Sequence, residues 1–162
     1  MSTYQDAYVF VRSAETAQDE LQNPGGGVES MPFDLATGAY ARLYVLKSDA
    51  SKPVFDFLQS LGTFQVDKAL ALESPFRIVH AGVFLYMAFV RVLLRGDADP
   101  RRVLQSISTF KTFKGGAQVQ GSYDLLIEFG DDSELAAVQG DADAVRTVGG
   151  VSSRAVGITA NE

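Results

Sequence analysis

The sequence predicts an α+β protein in which one β-α-β-β-α-β order is written twice. Three observations lead there. The stretch Gln120-Gly121-Ser122-Tyr123-Asp124-Leu125-Leu126-Ile127-Glu128-Phe129 sets a glycine turn before an alternating run of β-formers, the pattern of a hairpin's second strand. A weaker copy, Thr37-Gly38-Ala39-Tyr40-Ala41-Arg42-Leu43-Tyr44-Val45-Leu46, lies about 83 positions earlier. Turn residues, helix caps and element order then agree at that one offset: Val9 falls on Val92, Arg12 on Arg95, Leu21 on Leu104, Leu43 on Leu126 and Asp49 on Asp132.

Each element has its own justification. Ala7 to Val11 is a short β-rich run. Glu15 to Gln22 favours helix, with Ala14, Ala17 and Leu21 on one thin stripe, and Asn23-Pro24-Gly25-Gly26-Gly27 stops it. Val28 to Ala36 carries Pro32, so it is expected at a sheet edge or a bulge. Tyr40 to Leu46 is the next strand. Ser48-Asp49-Ala50-Ser51 and Pro53 start a helix whose apolar face is Val54, Phe57, Leu58 and Leu61, with Gly62 at its end. Phe64 to Leu72 alternates as a strand. After Ser74-Pro75-Phe76 the order repeats. Met87 to Leu94 is a strand apolar on both faces. Asp99-Pro100 starts a helix with Val103, Leu104, Ile107 and Phe110 inward, and Lys114-Gly115-Gly116 is expected to end that region. Ala117 to Gln120 and Tyr123 to Phe129 form the hairpin. Asp131-Asp132-Ser133 caps a helix bearing Leu135, Val138, Ala142 and Val145, weakened by Gly140, and Val151 to Ile158 closes the chain's last strand.

Composition narrows the function. The chain has 162 residues, 46 % of them hydrophobic, with 11 Phe and 6 Tyr, enough for a packed core. Net charge is −6 and Lys+Arg total 14, so the basic footprint of a nucleic-acid binder is missing. No cysteine and a single histidine exclude thiolate and multi-histidine metal sites within one chain. The run from Ile78 to Leu94 imitates a membrane span, but Arg91 and Arg95 interrupt it, so it reads as a linker entering a buried strand. The first residues lack a signal-peptide pattern, and the expected compartment is the cytoplasm.

At Val119 to Ile127 the second half resembles the ligand-binding domain of the Lrp/AsnC family of regulators, whose Gly-x-Tyr-Asp turn enters a hydrophobic strand. Gly149-Gly150-Val151 stands where that family turns into its last strand, and the match covers roughly residues 85 to 160. The resemblance implies ferredoxin-like repeats, each an antiparallel sheet with helices on one face, and two such sheets paired face to face as a dimeric α/β barrel. Residues 1–74 would be the first repeat, 75–84 a linker and 85–162 the second. It implies an amino-acid-like effector bound near the turn before the third strand, which nominates Gly121, Tyr123 and Asp124, and in the first half Gly38 and Tyr40. Ala41 stands where the second half has Asp124, and the family's helix-turn-helix has no counterpart.

The expected function is therefore a regulatory module that binds a small effector, lacks its own DNA reader, and associates with itself or with another regulator. No cofactor, metal or catalytic residue is expected. Each nominated residue also has a plainer role. Asp124 could take a ligand ammonium or bond backbone amides of its turn. Gly121 could serve only to turn the hairpin at positive φ, and Tyr123 and Tyr40 could simply pack. Asp131, Asp132 and Glu134 suit a helix terminus better than a cation. Two other functions stay open. One is a cofactor-free or haem-using enzyme on the same barrel, for which His80 is the axial-ligand or proton-shuttle candidate against a structural role in the linker. The other is a structural or assembly protein.

Overall fold

The structure, a computed structural model, describes residues 5–49, 51–62, 65–72 and 84–159. Its elements are β1 (Gln5–Val11), α1 (Gln18–Gln22), β2 (Glu29–Asp34), β3 (Arg42–Ser48), α2 (Ser51–Ser60), β4 (Val66–Ala71), β5 (Tyr86–Leu94), α3 (Pro100–Ile107), β6 (Phe113–Gln120), β7 (Leu125–Asp131), α4 (Leu135–Ala144) and β8 (Val151–Ile158), with a 3₁₀ turn at Val145–Thr147 before β8.

The strands form one eight-stranded sheet in the order β2-β3-β1-β4-β6-β7-β5-β8. The last four strands repeat the spatial order of the first four. Every described strand pair is antiparallel. The two groups of four meet edge to edge rather than face to face. At one seam Leu70 pairs with Gln120 and Ala71 with Val119, and the Leu72 amide donates to the Gln118 carbonyl at 2.6 Å. At the other seam Leu35 bridges Thr159, and the Ala36 amide donates to the Ile158 carbonyl at 2.7 Å. That second seam closes the sheet on itself, and closure removes the open edges that would otherwise template aggregation.

Period-two alternation sorts the side chains between inside and outside. Inward go Tyr8 and Phe10 of β1, Phe33 of β2, Leu43 and Val45 of β3, Ala69 and Ala71 of β4, Met87 and Phe89 of β5, Ala117 and Val119 of β6, and Leu126 of β7; they share one core. The outward residues of β5 and β7 pack under α3 and α4. Those of β1 and β3 pack under α1 and α2. The interior is filled with rings: Phe33 and Phe89 lie 5.0 Å apart, centroid to centroid, and Phe10 and Tyr123 lie 6.4 Å apart edge to face.

Caps and edges follow the sequence reading, except at α4. Asp99 accepts the Arg101 amide at 3.0 Å with Pro100 opening α3. The expected Asp131 cap of α4 is not formed: the N-cap position is Glu134, without a side-chain bond, and Asp131 ends β7, where it accepts the Glu134 and Ser133 amides of the connecting turn, which hold its carboxyl below the ordinary carboxylate range. Pro32 sits in β2, which pairs with β3 through its whole length and otherwise lies at the sheet's end. Three further expectations need correction. Gly115-Gly116 does not end a helical region but lies inside β6, where the register with β7 shifts between Phe113 and Gly115. A Cβ on Gly116 would come 2.5 Å from a Leu104 methyl, so the glycine lets α3 press onto the strand. The helix expected from Glu15 is only Gln18–Gln22, because Leu21 alone of its residues is buried. Gly121 is not among the positive-φ residues, whereas Gly38 is, at 96°. Apart from Phe84, the expected linker 75–84, including His80, lies outside the described residues. No helix among the described residues is long and apolar enough to cross a membrane.

Candidate functional site

Strand β5 puts Met87 and Phe89 into the barrel, and the next inward position is Arg91. Strand β4 puts Ala69 and Ala71 inward, and the preceding inward position is Asp67. A cation and an anion therefore occupy the inward register of two otherwise apolar strands. Their side chains are 14 % and 13 % exposed, and Arg91 Nη1 lies 3.5 Å from Asp67 Oδ2. Burial on this scale demands compensation, and both ions have it. Ser122 Oγ donates to Asp67 Oδ1 at 2.8 Å and the Tyr40 hydroxyl reaches Oδ2 at 3.5 Å. The Arg91 guanidinium lies 4.5 Å from the Tyr40 ring centroid and 4.9 Å from that of Phe10, and Arg12 sits 5.0 Å from Tyr40.

Beside this pair is a cleft of about 150 Å³ lined by Asp67, Arg91, Leu93, Ser122, Tyr123, Ser153, Arg154 and Ala155. Tyr123 is 4 % exposed, and its hydroxyl has no hydrogen-bond partner among the described residues. Burial, and then the negative charge of Asp67, push its pKa well above the ordinary phenol value, so it stands ready as a neutral donor. Arg154 leaves β8 on the helix side, in register with Val92, and its Nη2 donates to Asp143 Oδ1 of α4 at 3.0 Å.

The five residues nominated from sequence fall in two places. Tyr123 lines the cleft and Tyr40 packs on Arg91. Asp124 points to backbone: its Oδ2 accepts the Leu94 amide at 2.8 Å, where the β5–β8 register slips between Leu93 and Leu94 and frees that amide. Gly38 and Gly121 each lie at a seam. A Cβ on Gly38 would stand 2.6 Å from the Val156 carbonyl oxygen, and one on Gly121 2.9 Å from both the Lys68 carbonyl oxygen and the Ala69 Cβ. Asp67, Arg91, Ser122 and Arg154 were not nominated. The available signal was a lone charge at an inward position of an apolar strand, which Arg91 displays within Met87 to Leu94. Among the described residues no group of three or more His, Cys, Asp or Glu could hold a metal ion.

No protein-family model matches this sequence, and no curated protein matches it either. Solved structures do match by shape. A mutant chlorite dismutase from Candidatus Nitrospira defluvii superposes with a TM-score of 0.60 at 11 % identity, covering 99 % of this chain and 92 % of that one. A second mutant of the same enzyme gives 0.59 at 11 % identity, with the same coverage. The siroheme decarboxylase NirDL gives 0.61 at 12 % identity, covering 98 % of this chain and 72 % of that one. The expectation of an Lrp/AsnC-type transcription-regulatory module is thereby corrected: the structures this chain resembles are named as enzymes, and nothing ties it to that regulator family. At such identity the likeness speaks for the fold: this chain is an α+β protein with the dimeric α/β barrel architecture of chlorite dismutase-like proteins.

Proposed function

We propose that this chain is an enzyme acting on a small molecule at the barrel mouth where Arg91, Asp67 and Tyr123 meet. The observation that carries the proposal is the part-buried ion pair beside a cleft, because drawing ionisable groups out of water has a cost that binding and catalysis commonly justify. The enzyme names of the fold's neighbours support the same reading. In it Arg91 orients the substrate by charge, Tyr123 donates a hydrogen bond, and Asp67, held by Ser122 and Tyr40, fixes the guanidinium. The repeated strand order supports a tandem duplication of a ferredoxin-like unit, over 1–74 and 85–162, with the site at one junction between the copies.

Siroheme in one neighbour's name raises a tetrapyrrole. The described residues do not fit a haem. The barrel interior is filled by Phe10, Phe33, Phe89 and their neighbours. The chain has no cysteine, and its one histidine, His80, lies outside the described residues. Met87 is sealed in the core at 1 % exposure. The haem-using form of the enzyme thus rests on His80 alone. Titration of the purified protein with haem separates the two forms. No Soret shift on addition is expected for cofactor-free chemistry at Arg91. A shift in wild type that is lost in His80→Ala would favour the haem form. The enzyme reading itself is tested by turnover of a panel of small organic acids, with and without oxygen. Activity abolished by Arg91→Lys is expected, and turnover indifferent to that change would move the site elsewhere.

A further inference from the structure

The cleft at the barrel mouth sets an unmet donor beside a bare apolar wall. Tyr123 belongs to the barrel core, edge to face with Phe10 at 6.4 Å between ring centroids, and is 4 % exposed. Its hydroxyl nevertheless has no hydrogen-bond partner among the described residues, and the residue lines the cleft. Burial and the Asp67 charge both oppose ionisation, so the hydroxyl keeps its proton to donate. Folded proteins seldom leave such a donor unmet without a reason. The wall beside it is Leu93 and Ala155, which alternation places on the barrel face: Leu93 pairs with Ser153, and Arg91 with Ala155. Leu93 is 44 % exposed, on a strand whose other apolar residues are largely covered.

Charge at the mouth is already balanced. Arg91 Nη1 lies 3.5 Å from Asp67 Oδ2, and Ser122 donates to the other carboxylate oxygen. Arg154, the second cation lining the cleft, is tied to Asp143 on the helix side. A charged ligand would lose its water here without gaining a free counter-ion, and a neutral one carries no such cost.

We infer that this cleft binds a small neutral carbonyl compound, its oxygen accepting from the Tyr123 hydroxyl and its apolar body lying on Leu93 and Ala155. The inference rests on the site proposed above and narrows its ligand. A solvent molecule alone would answer the hydroxyl and leave Leu93 wetted; a hydrocarbon would cover Leu93 and leave the hydroxyl unmet. A carbonyl suits better than an alcohol, because the polar groups still unspent are donors. Arg91 Nε is also buried without a partner, whereas Asp67 already accepts from Ser122, Tyr40 and Arg91. Size agrees: about 150 Å³ takes a molecule of roughly the bulk of benzene.

The test is calorimetric titration of the full chain with two matched pairs. Butanone against propanoate varies charge at constant shape, and cyclohexanone against toluene removes the oxygen at similar size. Each ketone should bind saturably and about tenfold more tightly than its match. Tyr123→Phe removes a hydroxyl the fold does not use, so the free variant should melt no lower than wild type. In that variant cyclohexanone and toluene should bind alike. No saturable binding of either ketone, propanoate or toluene bound as tightly as its match, or a ketone advantage over toluene that survives Tyr123→Phe, overturns the inference. Turnover is scored separately. Ketone binding with no turnover of any ketone or acid upholds this site and removes the enzyme reading. Turnover that requires Arg91 without any ketone preference overturns this inference and leaves the enzyme reading standing.

Discussion

The two seams that close the barrel use one sequence motif in two ways. Gly38 and Gly121 stand at equivalent places in their hairpins, and each presses against the other half of the sheet. At the Gly38 seam the contact is a single bridge, Leu35 with Thr159, helped by Thr37 Oγ1 accepting the Ile158 amide at 3.1 Å. Gly38 itself takes a left-handed φ of 96°. At the Gly121 seam two ladder pairs form, Gly121 keeps an ordinary φ, and the next residue, Ser122, reaches across to Asp67. This second seam also carries a part-buried ion pair and a cleft. The repeated strand order thus closes at one junction and places the ion pair and the cleft at the other.

Four substitutions sharpen or break that contrast. The largest effect is expected from Asp67→Ala, which strands Arg91 in the barrel: about 3–5 kcal/mol of stability lost, read by urea denaturation. A loss below 1 kcal/mol would mean the pair is solvated. Next is Gly38→Ala, where positive φ and a backbone oxygen 2.6 Å from the new methyl act together; about 3 kcal/mol is expected. Gly121→Ala meets similar crowding without the φ penalty and should cost less, about 1–2 kcal/mol. Equal costs would erase the distinction between the seams. Asp124→Ala leaves the Leu94 amide unmet at the bulge and should cost about 1–3 kcal/mol, read by urea denaturation.

The smallest effect concerns pH. The Asp131 carboxyl is held low by the Glu134 and Ser133 amides. A carboxyl with a depressed folded pKa stabilises the fold above its unfolded pKa, and that contribution is lost as pH falls through the folded value. Asp131→Asn should therefore flatten part of the acid limb of a stability-against-pH curve and leave the neutral limb parallel to wild type. An unchanged acid limb would dismiss the Asp131 turn as a pH-sensitive contact.

Local signals were legible in the sequence and distant ones were not. Asp99 before Pro100 announces a helix start because a cap is decided within a few residues, whereas Asp131 marks only the turn that leads into α4. The doubled element order was legible because turn glycines and caps recur at one offset. Gly115-Gly116 misled because a glycine pair signals a stop as readily as it signals tight helix–strand packing, and only Leu104 across the gap distinguishes the two. The Asp67–Arg91 pair joins strands from different halves, so no sequence window contains it. Tyr123 was nominated through a resemblance, yet its unmet hydroxyl and its nearness to Arg91 belong to the closed barrel alone.

The most direct test is diffraction from crystals of the full chain. Arg91 should stand inside the barrel with Nη1 about 3.5 Å from Asp67 Oδ2, and Ser122 Oγ should bond Asp67 Oδ1 across the seam. An Arg91 side chain turned out to solvent and parted from Asp67 would contradict a chemical site at the Ser122 seam.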